Sequence, residues 1–454
     1  MNATRRLLQR FGVNRAVSYA MAARIWQIPS GVLTTLLIAV GLEPDQQGVY
    51  FLILTVTGMQ ALADAGLINT ILHAVSHEIA HARFDRRHFL HAPKRARQRL
   101  SGIMRFAIAW FAVAALLLCI GGSTFGYVML SRQGLLGTAF APLLVAIVLG
   151  SLTLALAPLV GILEGGSQIQ VVNRYRLGQV VTGSVVVWAC LLLGAGLWTA
   201  AAAVAVQLVW EVVLIAGKYR GFFLQLTRTP SSEFRWRDEI WPLQWRIGVQ
   251  SIARYLAFFP IYPALFDTQG PAVAGRYGMT WQIFSNLLMV SYVFVRSKAP
   301  DFGRLIAEGR RQTSVTLFRQ VTHGSTVVLI GLVGAFCIAI AVLNSLPFDL
   351  TKQFASRFLT IGQCAAFAFA VIPIHLTQCF SMYIRSQRFD PIWRVNLPTC
   401  LTLAVLGYLA AGSGRITTIA IAILVVYSFA TIALAAMSRW YDRHFRQLDQ
   451  RENC

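Results

Sequence analysis

Several charged side chains lie inside stretches of sequence that are otherwise apolar, and four of them are candidates for function, whereas Arg105 and Arg276 are expected to be structural. Arg24 and Asp64 occur in the first and second of these stretches. Glu211 and Arg254 occur in the sixth and seventh. A charge at the centre of a membrane-spanning helix costs about 2.5–3.5 kcal/mol on insertion scales, so such residues are candidates for function. Arginine stays charged and forms paired hydrogen bonds with phosphate oxygens, which makes the two arginines candidate ligands for a phosphate or pyrophosphate group.

Two polar residues next to Arg254 extend this set. Gln250 lies one helical turn before Arg254, and Tyr255 follows it directly. The predicted substrate-binding residues, which we expect to line a cavity, are Arg24, Asp64, Glu211, Gln250, Arg254 and Tyr255. Asp64 would balance the positive charge of that cavity or couple transport to an ion. The alternative for each charged member is a structural ion pair, or a side chain that extends to the membrane surface.

A second pattern, His77-Glu78-Ile79-Ala80-His81, matches the H-E-x-x-H sequence of zinc proteases. There, two histidines on one helix face bind the metal and the glutamate activates a water molecule. Here no third ligand is apparent in a suitable context, and the motif lies in a basic loop. We therefore expect no metal, no cofactor and no enzymatic activity, with an intramembrane zinc protease as a distant alternative.

The composition fixes the kind of chain that must position these residues. Of 454 residues, 56% are hydrophobic and only 13% are charged, whereas about 25% are charged in a typical soluble chain. Apolar stretches of about twenty residues, long enough to cross a bilayer, recur throughout. The composition indicates an all-α polytopic membrane protein and excludes a soluble multidomain enzyme or a disordered chain. The net charge of +22 lies in loops between apolar stretches, which indicates contact with anionic lipid and no nucleic-acid partner.

The apolar stretches predict about twelve membrane spans. Their edges lie near residues 21–42, 49–72, 101–122, 140–163, 177–198, 200–217, 247–267, 271–295, 321–345, 359–383, 396–412 and 416–438. Most of the 40 Lys and Arg residues fall in alternate loops, which predicts that both termini are cytoplasmic. The expected location is the bacterial inner membrane.

The longest polar interruption divides the chain into two halves of six spans. We predict an N-terminal six-helix bundle over 1–217, a cytoplasmic connecting segment over 218–246, and a C-terminal bundle with a cytoplasmic tail over 247–454. Gly48-Val49-Tyr50 and Gly275-Arg276-Tyr277 open the second span of each half. Repeated halves related by a pseudo-two-fold axis are typical of transporters and predict a central cavity.

Two local features concern the connection between the halves. Pro260 and Pro263 fall inside the seventh span, and each removes a backbone donor, so this span is predicted to be broken or bent. The segment 218–246 is expected to lie on the surface without a packed core of its own. Within it, tryptophans alternate with arginines over 233–246, which predicts an amphipathic helix at the level of the lipid headgroups.

Five short stretches resemble one known family of membrane proteins. They are Glu43–Tyr50, Ala63–Leu67, Val75–Glu78, Ala299–Leu305 and Glu308–Arg310. In sequence and position they resemble polysaccharide flippases, the O-antigen and lipid-linked oligosaccharide exporters of the MATE-like MOP superfamily. The resemblance implies a fold of twelve helices in two six-helix bundles around a central cavity.

The resemblance also implies a function. It predicts a transporter that flips a saccharide linked to undecaprenyl pyrophosphate across the inner membrane, for O-antigen or other lipopolysaccharide biosynthesis. The expected partners are membrane lipid, the lipid-linked glycan, and the polysaccharide polymerase and glycosyltransferase machinery. The alternative is a multidrug or small-solute antiporter of the same fold. A cavity with two arginines favours an anionic headgroup over a cationic drug.

Overall fold

A computed structural model describes residues 15–64, 66–79, 83–85, 89–231, 236, 241–387 and 391–452. Within these ranges nearly every residue is helical. The sheet found among them is a two-stranded antiparallel hairpin in which Arg83 pairs with His91 and Phe84 with Leu90. The predicted all-α class is confirmed.

The chain divides into two compact units, Met1–Ile252 (unit 1) and Ala253–Cys454 (unit 2). Up to residue 228 the elements are α1 (Arg15–Gly41), α2 (Pro44–Thr57), α3 (Gln60–Asp64), α4 (Leu67–Glu78), β1 (Arg83–Phe84), β2 (Leu90–His91), α5 (Lys94–Arg132), α6 (Leu136–Gly165), α7 (Ile169–Leu192), α8 (Trp198–Val212), a π-helix (Val213–Lys218) and α9 (Arg220–Arg228). From residue 241 they are α10 (Trp241–Phe258), α11 (Ile261–Gln269), α12 (Pro271–Ser297), α13 (Ala299–Ala307), α14 (Arg311–Ser345), α15 (Asp349–Ala355), α16 (Ile361–Arg385), α17 (Trp393–Gly412) and α18 (Ile416–Glu452). The predicted three-part division at 218–246 stays a prediction.

The protein is a multi-pass membrane protein. Among the described residues, ten helices are long and apolar enough to cross a membrane. A further pair, Pro44–Asp64 and Leu67–Glu78, is bent by 43° and raises the number to eleven if it forms one span. Each stretch predicted as a span is mostly helical over its described residues.

The seventh predicted span, 247–267, accounts for the difference between eleven and twelve. Here α10 ends at Phe258 and α11 begins at Ile261, so the helix is interrupted at Pro260. Neither piece is among the ten helices of sufficient length and hydropathy. The predicted break in this span is therefore confirmed.

Small residues let the helices of unit 1 approach closely. A Cβ atom on Gly126 of α5 would lie 2.6 Å from the Leu143 side chain of α6. A Cβ atom on Gly165 would lie 2.6 Å from the backbone oxygen of Leu72 in α4. Such close packing stabilises the contacts between helices, because the hydrophobic effect does not drive helices together in lipid.

The contacts between the hairpin and α9 in unit 1 were not expected. Gln225 of α9 accepts a hydrogen bond from the Leu90 N–H at 3.0 Å and donates one to the Leu90 carbonyl at 3.1 Å, which joins the hairpin to the helix. Phe84 packs edge-on against Phe222, with ring centroids 5.2 Å apart, and both Phe222 and Leu226 are fully buried. The expectation that 218–246 lies on the surface is wrong for Arg220–Arg228, because Phe222, Phe223 and Leu226 are buried in the core of unit 1. This stretch has no separate core, as expected.

The rest of the connecting segment is only partly described. Residues 232–235 and 237–240 lie outside the described part, and so does most of the amphipathic helix predicted over 233–246. Its last residues form the start of α10, where Trp241 and Trp245 are exposed. That orientation suits the headgroup region, where indole rings are enriched.

Candidate functional site

Unit 1 contains a polar pocket inside its helices. Side chains from α4, α6, α7, α8 and the π-helix enclose a cavity of about 100 Å³. Its polar lining consists of Tyr175, Arg176 and Gln179 of α7 together with Glu211 of α8. A cavity of this size holds a few water molecules or a small ion and excludes a saccharide.

Glu211 is the carboxylate of this pocket. Its Oε1 accepts a hydrogen bond from the Gln207 amide at 3.3 Å, one helical turn earlier. Its Oε2 is buried, and among the described residues no group donates a hydrogen bond to it. An unpaired buried oxygen of a carboxylate costs free energy unless a proton, an ion or a water molecule occupies the neighbouring space.

The backbone changes its geometry directly after Glu211. Residues Val213–Lys218 form a π-helix, whose wider turns are rare and concentrate at functional sites. The π-helix is followed by Tyr219, whose hydroxyl donates to Gln168 Oε1 at 2.7 Å. Burial raises the pKa of Tyr219 to about 12, so this hydroxyl stays a neutral donor. The π-helix and Tyr219 thus connect the pocket at Glu211 to the short loop between α6 and α7.

An ion pair closes one side of the pocket. Arg176 Nη1 bonds to Glu164 Oε1, and the Glu164 side chain is only 13% exposed while that of Arg176 is 52% exposed. Next to it, Tyr175 packs edge-on against Trp210 with ring centroids 5.5 Å apart. The Lys218 ammonium lies 5.9 Å from the centre of the Tyr175 ring, a cation–π geometry. The pocket lining therefore carries one carboxylate, Glu211, and one cation, Arg176, and each of these two lining residues has a charged or polar neighbour: Glu164 for Arg176 and Gln207 for Glu211.

Asp64 is linked to this pocket through Ile68. Its Oδ1 accepts a hydrogen bond from the Ile68 N–H at 3.0 Å, across the break between α3 and α4. Gly66, at φ 73°, occupies the left-handed region at that break. The side chain of Ile68 in turn lines the pocket of Glu211. The N-cap position of α4 is Gly66, and Asp64, two residues earlier, satisfies one backbone N–H of the first turn of α4.

The predicted arginines are placed differently from the carboxylates. Arg24 is exposed on α1 and donates to Gln27 Oε1 at 3.1 Å. Arg254 is exposed on α10. Its guanidinium lies within electrostatic range of Tyr292 and Tyr427, both in unit 2.

The two remaining predicted residues also lie on α10. Gln250 belongs to unit 1 and is partly buried. Tyr255 belongs to unit 2 and stacks on Phe259 with ring centroids 5.3 Å apart. Of the six predicted site residues, only Glu211 lines the pocket; Asp64 is linked to it through Ile68, and the other four lie on α1 and α10.

Sequence reasoning missed Glu164, Tyr175 and Arg176. All three lie at or beyond the edges of predicted spans, where charged residues are ordinary and attract no notice. The available signal was one acidic and one basic residue on either side of the short turn at Gly165-Gly166-Ser167. Such a turn forces its flanking helices to lie side by side.

Unit 2 contains a buried cluster that the sequence analysis also missed. His375 of α16 is fully buried. Its Nε2 lies 3.0 Å from Ser325 Oγ of α14 and 3.5 Å from Cys379 Sγ. A single histidine in an apolar stretch gave no pattern that linked it to the other two residues.

The H-E-x-x-H pattern acquires a structural role. Glu78 Oε1 pairs with Arg99 Nε at 2.8 Å, and His77 is exposed. His81 lies outside the described residues. Within the described ranges no group of three or more His, Cys, Asp or Glu residues is arranged to hold a metal ion.

The fold and these intramembrane charges define a multi-pass helical membrane protein with two compact units. No protein-family model and no curated protein matches the chain. Its fold, however, is similar to solved structures of the MOP superfamily. A multidrug resistance transporter of the MATE family, in an inward-facing conformation, aligns with a TM-score of 0.66 at 14% identity over 94% of this chain and 99% of its own.

Two further structures have the same architecture. The lipid II flippase MurJ, in an inward closed conformation, aligns with a TM-score of 0.62 at 10% identity over 93% of this chain and 87% of its own. A MOP superfamily transporter from Pyrococcus furiosus, whose binding pocket has reversed polarity, aligns with a TM-score of 0.55 at 13% identity over 94% of this chain and 95% of its own. At such low identities these similarities establish the fold.

Proposed function

We propose that this protein is a transporter, and not an enzyme, that moves an anionic, lipid-linked saccharide of the undecaprenyl-pyrophosphate type across the bacterial inner membrane. One observation supports this choice of substrate: the membrane-embedded arginines are exposed, whereas the membrane-embedded carboxylates are turned inward and hydrogen-bonded. Each unit thus presents positive charge on its surface within the membrane, and positive charge selects anionic ligands.

The carboxylate side of this observation rests on two residues. The Asp64 carboxylate accepts a hydrogen bond from the Ile68 N–H, and the Glu211 carboxylate accepts one from the Gln207 amide. A cationic drug would need carboxylates that it can reach, whereas Glu211 lines a cavity of only about 100 Å³, too small for such a drug. The exposed guanidinium groups of Arg24 and Arg254 are each suited to bind a phosphate oxygen.

A multidrug or small-solute antiporter is the second candidate. The observation in its favour is the TM-score of 0.66 to a multidrug transporter over almost the whole of both chains. The MurJ score of 0.62 gives the flippase comparable support from the fold alone. The distinction therefore rests on the charges and requires a transport assay.

The assay uses the full chain in proteoliposomes with two probes. One is a fluorescent saccharide linked to polyprenyl pyrophosphate, and the other is the cationic dye ethidium. Arg24→Ala and Arg254→Ala should each slow saccharide translocation about tenfold, which corresponds to the loss of one charge-assisted hydrogen bond. Arg254→Lys should recover part of the rate, because an ammonium supplies charge without the paired geometry.

The control variant is Arg276→Ala, which removes an exposed arginine of α12 and should leave the rate unchanged. Equal stability of all variants is checked by their thermal midpoints. Ethidium transport without saccharide transport would instead establish the antiporter.

The cytoplasmic position of both termini and the coupling to polymerase and glycosyltransferase machinery belong to the same proposal. Labelling of residues 73–100 from outside intact cells would contradict the orientation.

A further inference from the structure

A long apolar groove lies on unit 1, apart from the polar pocket. It has a volume of about 570 Å³ and runs between α5 and the stretch that includes Met59 and Leu62. On α5 its lining residues fall every third or fourth position between Phe106 and Leu118. That stretch of helix is about 18 Å long at 1.5 Å per residue. The groove therefore extends along more than half the hydrocarbon thickness of a bilayer, about 30 Å.

The shape of the groove follows from the broken second span. The turn at Gly58-Met59 separates α2 from α3, so the chain does not continue as one helix along α5. Trp110 Nε1 donates to the Ala63 carbonyl at 3.4 Å and holds the two walls together at one point. Val113 and Leu117, further along α5, are 60% and 66% exposed. The groove is thus open to the side.

One end of the groove is marked by aromatic rings. Trp236 stacks on Phe106 with ring centroids 5.4 Å apart and lies 5.9 Å from the ring of Trp110. Trp241 lies against Trp236 at 4.9 Å. Indole rings gather at the boundary between headgroups and hydrocarbon, so this end marks the headgroup level and the other end points into the bilayer.

A positive charge lies at the same end. Arg105 is one helical turn before Ala109 on the same face of α5, and Ala109 lines the groove. Its Nη2 donates to the carbonyls of Thr227 and Thr229 at 3.0 and 3.2 Å, which fixes the guanidinium in position. A guanidinium has five N–H donors, so this one can also bind a phosphate oxygen.

We infer that this groove binds the polyprenyl chain of the transported lipid, with its phosphate at Arg105. The inference rests on the proposed function and deepens it, because it gives the tail a binding site on unit 1 separate from the saccharide. An apolar groove that begins at the headgroup level beside a fixed arginine matches a lipid with phosphate next to a long apolar chain. The chain stays in the membrane while the headgroup crosses.

The test is photolabelling of the full chain in nanodiscs of phosphatidylcholine. The probe is a polyprenyl phosphate with a diazirine near its phosphate end. Ala109→Trp places an indole in the groove, and labelling of α5 should fall about tenfold, the ratio expected when a few methylene groups lose their binding surface. Ala112→Trp is the matched control, since Ala112 is an exposed alanine of α5 that does not line the groove.

A second pair of variants tests whether a loss of labelling comes from misfolding. Leu117→Trp fills the groove, and Leu116→Trp changes a neighbouring exposed leucine outside it. Unlabelled polyprenyl phosphate should compete about tenfold better than polyprenol, because only the former engages Arg105. Equal labelling within both pairs, or equal competition by phosphatidylglycerol, would show ordinary lipid contact and overturn the inference. Saccharide transport without groove labelling rejects this inference alone, whereas groove labelling without transport rejects the proposed function.

Discussion

The two units bury polar groups in opposite ways. Unit 1 places Glu211 and the Glu164–Arg176 pair around a cavity of about 100 Å³. Unit 2 places His375 and Ser325 in direct contact, with the histidine fully buried. The difference shows what each kind of group requires: a carboxylate or guanidinium needs a counter-charge and room for water, whereas a hydroxyl and an imidazole can pack against each other without a cavity.

The same contrast holds for the backbone. In unit 1, the helix next to Glu211 widens into a π-helix. In unit 2, α16 contains Pro373, and the hydroxyl of Thr431 donates to its carbonyl at 3.0 Å. Side-chain hydroxyl groups commonly satisfy backbone groups near a proline in membrane helices. Unit 2 thus keeps a continuous α-helix through this proline, while unit 1 widens its helix beside a charge.

The largest expected effect comes from removing the counter-charge in unit 1. Arg176→Ala leaves the nearly buried carboxylate of Glu164 without its partner and should lower the free energy of unfolding by about 3 kcal/mol, less than for a fully buried pair because Arg176 is half exposed. The measurement is a denaturant titration in detergent. Arg174→Ala, which removes an exposed arginine of the same helix, is the control and should change little. An equal loss in both variants would mean that the pair contributes nothing special.

The wall of the pocket in unit 1 should respond next. Gly178→Ala would place a Cβ atom 2.5 Å from the rigid indole of Trp210, next to Glu211. We expect a loss of about 2 kcal/mol from overpacking. Gly183→Ala lies on the same helix, where the nearest side-chain atom would be 3.9 Å away, and should be neutral or slightly stabilising. Thermal midpoints of the two variants measured together decide the matter, and identical midpoints would refute the close contact.

Unit 2 should lose less when one of its neutral groups is removed. Ser325→Ala takes away the hydroxyl at His375 Nε2 and should cost about 1–1.5 kcal/mol. Because no charged pair is involved, this loss should not depend on ionic strength, whereas the loss in Arg176→Ala should shrink as salt screens the partly exposed pair. Ser345→Ala, an exposed serine of the same helix, is the control. A salt-dependent loss in Ser325→Ala would show that His375 is charged and would remove the contrast.

The smallest effect concerns the helix cap beside the pocket. Asp64→Ala removes the acceptor for the Ile68 N–H and should cost about 1 kcal/mol, while Asp64→Asn keeps an acceptor oxygen and should cost only a few tenths of that. Hydrogen exchange at the Ile68 amide is the direct measurement. Slow exchange retained in Asp64→Ala would show that the cap is unimportant. A loss of transport in Asp64→Asn with the cap intact would instead return Asp64 to the functional residues.

Much of the fold was predictable from hydropathy and charge. Long apolar stretches specify helices in a membrane because every backbone group must be satisfied within the helix. Prolines 260 and 263 correctly predicted the interruption between α10 and α11. The break at Gly58-Met59 carries no proline and was not predicted, since glycine in an apolar stretch is compatible with a continuous helix.

The site was less predictable than the fold. Intramembrane charges identified Glu211 as a candidate, but its neighbours Tyr175 and Arg176 come from another helix, and only the packing of α7 against α8 brings them together. The contact between Gln225 and Leu90 was equally hidden, because it joins residues 135 positions apart through one amide. Sequence periodicity gives the face of a helix but not the partner that covers that face.

The π-helix at Val213–Lys218 has a consequence for the history of the chain. A π-helix arises when one residue is inserted into an α-helix and the downstream fold is kept. Deleting one residue from this stretch would restore a regular α-helix and rotate everything after it by about 100° around the axis. Tyr219 would then turn away from Gln168, and Phe222 away from the hairpin. The contacts between α9 and the hairpin therefore depend on one residue in this stretch, and its deletion should abolish them.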